Sequence, residues 1–258
     1  TMQRRHFMKL TGLLATLPAI NGIAATTEKT ASSKKQIYEW RIYTLEGDGD
    51  GLDAFFRDTL IPAYNRKNIK AGAFAPYKKE EKERRLLLFV YPDIDTYYKV
   101  KKDIWKDTTF RKAAQPFFDQ TAPKPAYFNF ESYLCEAFDK IPVMRMPDKN
   151  RTLLELRTYH SPNEEANQRK IAMFNNDEIE IFDKVGVNSV CYGEIMAGPI
   201  MPAIMYLTWY KDEPTRAEAW NKFGKHPDWQ RIKDMPEYAY TATRNTSLFL
   251  SPLPYSQI

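Results

Sequence analysis

Histidine, cysteine and glycine are scarce in this chain of 258 residues, with three, two and ten of them respectively. His6 falls in the first 25 residues, and His160 and His226 are too far apart for the close ligand spacing of a zinc site, so no metal site is predicted. Cys135 and Cys191 lie in separate predicted strands and could pair only if those strands were neighbours; two buried thiols are the expectation. With so little glycine there is no phosphate loop, no Gly-x-Ser-x-Gly elbow and no dinucleotide fingerprint, and no cofactor is predicted. The longest apolar stretch, Leu10 to Ile20, is too short to span a bilayer, which argues against a stable membrane span in the mature protein. A strong excess of one charge is also missing. The formal charge is +5, but Arg4, Arg5 and Lys9 contribute three of the 38 basic residues, leaving 35 against 33 acidic ones; that balance gives no reason to expect nucleic acid. What remains is 43% apolar and 14% aromatic, enough for one large core or two small ones.

The segment MQRRHFMKLTGLLATLPAINGIAA has a basic start, an apolar centre and small residues, Ala24 and Ala25, where a peptidase could cut. Residues 1–25 therefore read as a signal peptide. Arg4-Arg5-His6-Phe7-Met8-Lys9 resembles the twin-arginine export motif, so the expected location is the periplasm or cell envelope. Residues 26–36, polar and small, read as a linker.

From there the chain repeats itself. Glu39-Arg41-Tyr43 recurs as Glu155-Arg157-Tyr159, each residue displaced by 116 positions. After the first motif the periodicity predicts a helix over Leu52 to Asn68, strands over Ala73–Tyr77 and Leu86–Tyr91, a helix from about Asp93 towards Trp105, and a strand over Tyr127–Phe138. After the second, it predicts strand Leu153–Tyr159, helix Glu164–Val185, strands Val187–Glu194 and Ala203–Tyr210, a helix over Pro214–Phe223 and strand Tyr240–Leu250. Gly72 and Gly186 are placed at equivalent helix ends, where positive φ is wanted. Pro142 and Pro147 mark the boundary, giving units 37–139 and 152–251. The predicted class is α+β, with two tandem ferredoxin-like βαββαβ units.

These residues resemble the NIPSNAP family, whose modules open on a Glu-x-Arg-x-Tyr strand and close with an aromatic strand, a helix and an Asp-Pro-x-Trp-like turn. Here the closing segment carries Trp209, Arg216, Ala219, Pro227 and Trp229, with His226 where the family pattern has Asp; in the first unit Phe110 stands in for Trp229. The resemblance implies a dimeric α/β-barrel-type pair formed within one chain. Helices are expected to cover the apolar Tyr38-Trp40-Ile42 face, which would turn Glu39, Arg41 and Tyr43 into the barrel. Such a row is either a self-satisfied network or a cleft that grips an anionic or carbonyl group. The ligand-binding candidates are Arg41, Tyr43, Glu155, Arg157, Tyr159, His160 and Trp209, with His226, Pro227 and Trp229 as the motif residues.

Two functions follow. The first is an exported protein binding a small, partly apolar molecule or a protein partner, a homo-oligomer among the arrangements expected. The second, implied by fold relatives, is a cofactor-independent monooxygenase or a haem-handling oxygenase using the barrel cleft. Export is testable directly. Replacing Arg4 and Arg5 together by Lys should retain the precursor in the cytoplasm, because the twin-arginine route reads the guanidinium pair; unchanged export on fractionation would indicate the general secretory route.

Overall fold

Strand β1, Ile37–Leu45, is buried at every position except the half-buried Thr44, so both of its faces meet other parts of the protein. In the computed structural model, which describes residues 34–47, 49–79 and 83–258, it is flanked on both sides by antiparallel neighbours. The proposed signal peptide and most of the proposed linker lie outside the described residues. No helix among the described residues is long and apolar enough to cross a membrane.

The first half runs β1, helix α1 (Asp50–Phe55), a π turn (Phe56–Leu60), α2 (Ile61–Asn65), β2 (Lys70–Pro76), β3 (Arg84–Tyr91), α3 (Ile94–Asp103), α4 (Thr108–Thr121) and β4 (Tyr127–Ala137). The second half follows the same plan: β5 (Leu153–His160), α5 (Glu164–Met173), a π turn (Phe174–Glu178), α6 (Ile179–Val185), β6 (Asn188–Ala197), β7 (Ala203–Tyr210), α7 (Glu213–Lys225), α8 (Pro227–Ile232) and β8 (Arg244–Pro252). The eight strands close into one antiparallel barrel in the order β1-β3-β2-β8-β5-β7-β6-β4. Each half thus contributes its fourth, first, third and second strands in that order. The register agrees as well, since Ile37 faces Tyr91 across β1 and β3 as Leu153 faces Tyr210 across β5 and β7.

Alternation along each strand divides the residues between two environments. Tyr38, Trp40 and Ile42 point into the barrel and pack with Phe74, Leu88, Leu154, Leu156 and Leu207 from both halves. An eight-stranded barrel is only wide enough for its own side chains to fill it, and here they do. Tyr43, Leu87, Phe89 and Tyr91 point the other way, into the core beneath α1 to α4, as Tyr159, Tyr206 and Tyr210 do beneath α5 to α8. The expected direction of the Glu-Arg-Tyr row is therefore inverted. Glu39, Arg41 and Tyr43, with Glu155, Arg157 and Tyr159, face the helices, because the aromatic and aliphatic residues of the opposite face fill the barrel, and the helices supply the polar partners the row requires.

Other expectations are corrected in detail. Gly72 lies inside β2 without positive φ; the left-handed residue after α2 is Asn68, φ 61°, matching Gly186, φ 86°, after α6. Asparagine tolerates that conformation better than most side chains, so this helix end needs no glycine. The last strand begins at Arg244, not Tyr240, and the helix of 94–103 is followed by a separate α4 capped by Asp107. Both cysteines are buried free thiols, as expected. At Gly186 an added Cβ would meet only Ala219, at 4.0 Å, so the cost of Gly186→Ala is conformational. Urea denaturation should show a loss of about 1–2 kcal/mol with an unchanged m-value.

Candidate functional site

The outward row of β1 places Glu39, itself 1% exposed, at the centre of a polar cluster. Its Oε1 accepts hydrogen bonds from Arg41 Nε and from Lys101 Nζ of α3, both at 2.8 Å, and its Oε2 accepts from Tyr91 Oη of β3 at 2.6 Å. Burial alone would raise the Glu39 pKa, but the two cations outweigh it and hold the carboxyl down at about 2. Arg41 Nη2 donates to Tyr64 Oη of α2 at 2.8 Å, and its guanidinium lies over the Phe89 ring, 4.7 Å from the centroid. Lys101 is shifted the other way: burial, then the neighbouring Arg41, lowers its pKa, with Glu39 opposing.

Above this cluster is a cavity of about 260 Å³ between sheet and helices. Arg41, Tyr43, Tyr64 and Lys101 form its polar end, and Phe55, Leu60, Trp105, Phe118 and Phe130 stand among its apolar walls. Leu60 reaches it from the π turn, a local widening of the helix that recurs at functional sites. Trp105 stacks on Phe118 with centroids 6.0 Å apart and is 57% exposed, which puts it at the mouth. The Tyr43 and Tyr64 hydroxyls have raised pKa values, burial being the leading cause, and so remain protonated donors at neutral pH.

The second half repeats the carboxylate and changes its surroundings. Glu155 Oε1 accepts from Arg157 Nη1 at 2.6 Å and Arg216 Nη2 at 2.9 Å; its Oε2 accepts from Arg216 Nε at 2.7 Å and Trp220 Nε1 at 3.3 Å. Trp220 stands eight residues after the capping Asp212, as Lys101 stands eight after the capping Asp93. Its ring covers Arg157, 4.4 Å from guanidinium to centroid, and fills space that is open beside Arg41. Tyr159 accepts from Arg157 and from Tyr206 Oη, the latter at 2.8 Å, and a buried Lys170–Glu178 pair at 3.0 Å lies beside it, with Lys170 Nζ 5.5 Å from the Tyr159 ring centroid.

The structure therefore joins Arg41 and Tyr43 at one cavity, and joins Glu155, Arg157 and Tyr159 in a packed network. It does not bring in the others. His160 ends β5 opposite Ala203 and Arg244, and Trp209 pairs with Leu154 and packs on the barrel interior, on the opposite face from Arg157. His226 is a helix cap: its Nδ1 accepts from the Asp228 amide at 3.2 Å, the role that Asp107 plays towards Phe110 at 2.9 Å. Pro227 opens α8 and Trp229 packs on Phe223, centroids 4.4 Å apart. Lys101, Tyr64 and Tyr91 were not legible as site residues. The one signal available was Lys101 at helical spacing from Tyr97 and Ile104, a cation on the stripe that α3 turns to the sheet. Among the described residues no cluster of His, Cys, Asp and Glu could hold a metal ion.

Residues 154–257 match the model of the NIPSNAP family. No curated protein matches the chain in sequence. Among solved structures it resembles a protein of Fusobacterium nucleatum provisionally described as a monooxygenase, with TM-score 0.55 and 11% identity over 85% of this chain and 93% of that one. A protein of Lactobacillus acidophilus with the same description gives 0.56 and 10% over 85% and 94%. A NIPSNAP family protein of Agrobacterium tumefaciens gives 0.38 and 19%, covering 42% of this chain and 98% of that one. At these identities the first two likenesses are likenesses of fold.

Two outcomes test the cluster. Glu39 has a depressed folded pKa, so its stabilisation is complete above its ordinary value of 4.5 and is lost as the pH falls towards about 2; urea titrations should show this loss in the wild type and less of it in Glu39→Gln. Arg157→Met should cost about 1–2 kcal/mol, less than the roughly 3–5 of a carboxylate left alone, because Arg216 still holds Glu155 through two hydrogen bonds.

Proposed function

With residues 154–257 carrying a NIPSNAP domain, we propose that the chain is a tandem of two ferredoxin-like βαββαβ units, 37–139 and 152–251, and that the first is a binding module for a small, partly apolar molecule. The repeated strand order and register support the duplication. The observation that carries the binding reading is the cavity in which four polar side chains converge at one end of an aromatic enclosure. This is the usual composition of a small-molecule site, mostly apolar with a few polar groups that fix orientation.

Binding is favoured over reaction because the cluster offers no free base. Glu39 already accepts from three donors, Lys101 donates to it, and no histidine is among the side chains lining the cavity. The likeness to proteins provisionally described as monooxygenases speaks for the barrel and supplies no reacting residue. An oxygenase remains the second reading on one observation: Arg41 and Lys101 could hold an oxyanion developing on a bound substrate. Oxygen uptake with a bound phenol would support it. The same proposal includes a location in the periplasm or cell envelope, supported by the basic start and apolar centre of residues 1–25.

Thermal unfolding with naphthalene-based probes tests the cavity. A compound that binds the folded state alone raises the midpoint in proportion to its saturation. At least one of 2-naphthoate and 2-naphthamide should do so and change Trp105 fluorescence, and Leu60→Trp, which fills the cavity, should abolish both effects. Stabilisation that survives Leu60→Trp would place binding elsewhere.

A further inference from the structure

Counting charge around Glu39 leaves a remainder. Arg41 and Lys101 are both within 2.8 Å of the same oxygen, and among the described residues no other carboxylate lies within ion-pair distance of either cation. The cluster therefore carries one net positive charge at the polar end of a cavity walled by Phe55, Trp105, Phe118 and Phe130. A net charge against apolar walls is poorly solvated, and a bound opposite charge removes that penalty. Tyr43 and Tyr64 add hydroxyl groups at the same end, and the enclosure is ring-lined on several sides, which suits a flat body.

The second half repeats the count without the enclosure. Arg157 and Arg216 share Glu155, but Trp220 covers Arg157, and Arg216 opens onto a surface groove lined by Lys78, Glu213 and Phe249. Among the described residues, the uncompensated cation of the first half is the one that stands at an aromatic cavity.

We infer that the ligand of the first-half cavity is a flat, largely apolar monoanion, an aromatic carboxylate or a molecule of equivalent shape and charge, whose oxyanion is met by Lys101 and Arg41. The inference rests on the pocket reading above and adds the charge of the ligand to it. Lys101 becomes the residue that sets specificity, since Arg41 is already committed to Glu39 and Tyr64 whereas the lysine side chain is 36% exposed and has donors to spare.

Calorimetric titration of the full chain with 2-naphthoate and with its neutral counterpart 2-naphthamide tests this. The carboxylate should bind at least about tenfold more tightly, the difference expected for a charge-assisted hydrogen bond over a neutral one. Lys101→Met should reduce the affinity for 2-naphthoate to that for the amide, Lys101→Arg should keep the preference, and Trp220→Phe in the other half should leave it unchanged. Equal binding of the two probes to the wild type, abolished by Leu60→Trp, would overturn the charge assignment and leave the pocket in place. No binding of either probe, or binding indifferent to Leu60→Trp, would overturn both.

Discussion

The buried carboxylate of the first strand in each half is the constraint around which the helices are arranged. A carboxylate on the sheet side of a helix layer is too costly to leave unpaired, and neither Glu39 nor Glu155 could be satisfied by its own strand neighbour alone. Each takes one arginine two residues along β1 or β5 and one cation from the helix after the third strand, Lys101 in one half and Arg216 in the other. These contacts bind α3 and α7 to their sheets through the interior. The helices that give each half its second core are therefore located by charge as well as by apolar packing.

Closing the barrel has a consequence for where chemistry can occur. Trp40, Phe74 and their partners from the second half occupy its interior, so the barrel is filled by its own side chains and holds the halves together. Space for a ligand is left on the other side of the sheet, beneath helices that carry a π turn at Phe56–Leu60. The same turn recurs at Phe174–Glu178, where the volume is taken by the Lys170–Glu178 pair and a stack of aromatic rings, Tyr192 on Tyr206 at 5.0 Å among them.

The halves share a plan and diverge at single positions. A lysine after Asp93 and a tryptophan after Asp212 decide whether the space over the arginine is open or filled. Asp107 and His226 do the opposite: different side chains, one function, each capping the helix that follows. A substitution at a cap is tolerated wherever the new side chain can accept from the same amides, whereas a substitution under the helix layer changes what the half can bind.

By itself the sequence determined the succession of the eight strands along the chain, the recurrence of the Glu-x-Arg-x-Tyr motif and the alternation along β1 and β5, because these depend on local spacing and on residue type. It identified Glu39, Arg41, Tyr43 and their counterparts as one row for the same reason. It could not say which way the row faced, since alternation separates two faces without telling which is covered by helices and which by the opposite sheet. That was decided by barrel closure, where filling a space of fixed width selected Trp40 and its neighbours for the interior. Lys101, Tyr64 and Tyr91 reach Glu39 and Arg41 from 62, 23 and 52 residues away in the chain as the hydrogen bonds run, so no spacing could have announced them. Asn68 in place of a glycine and His226 in place of an aspartate are the remaining cases: the backbone conformation and the cap were required there, and the tertiary structure shows which side chain meets each requirement.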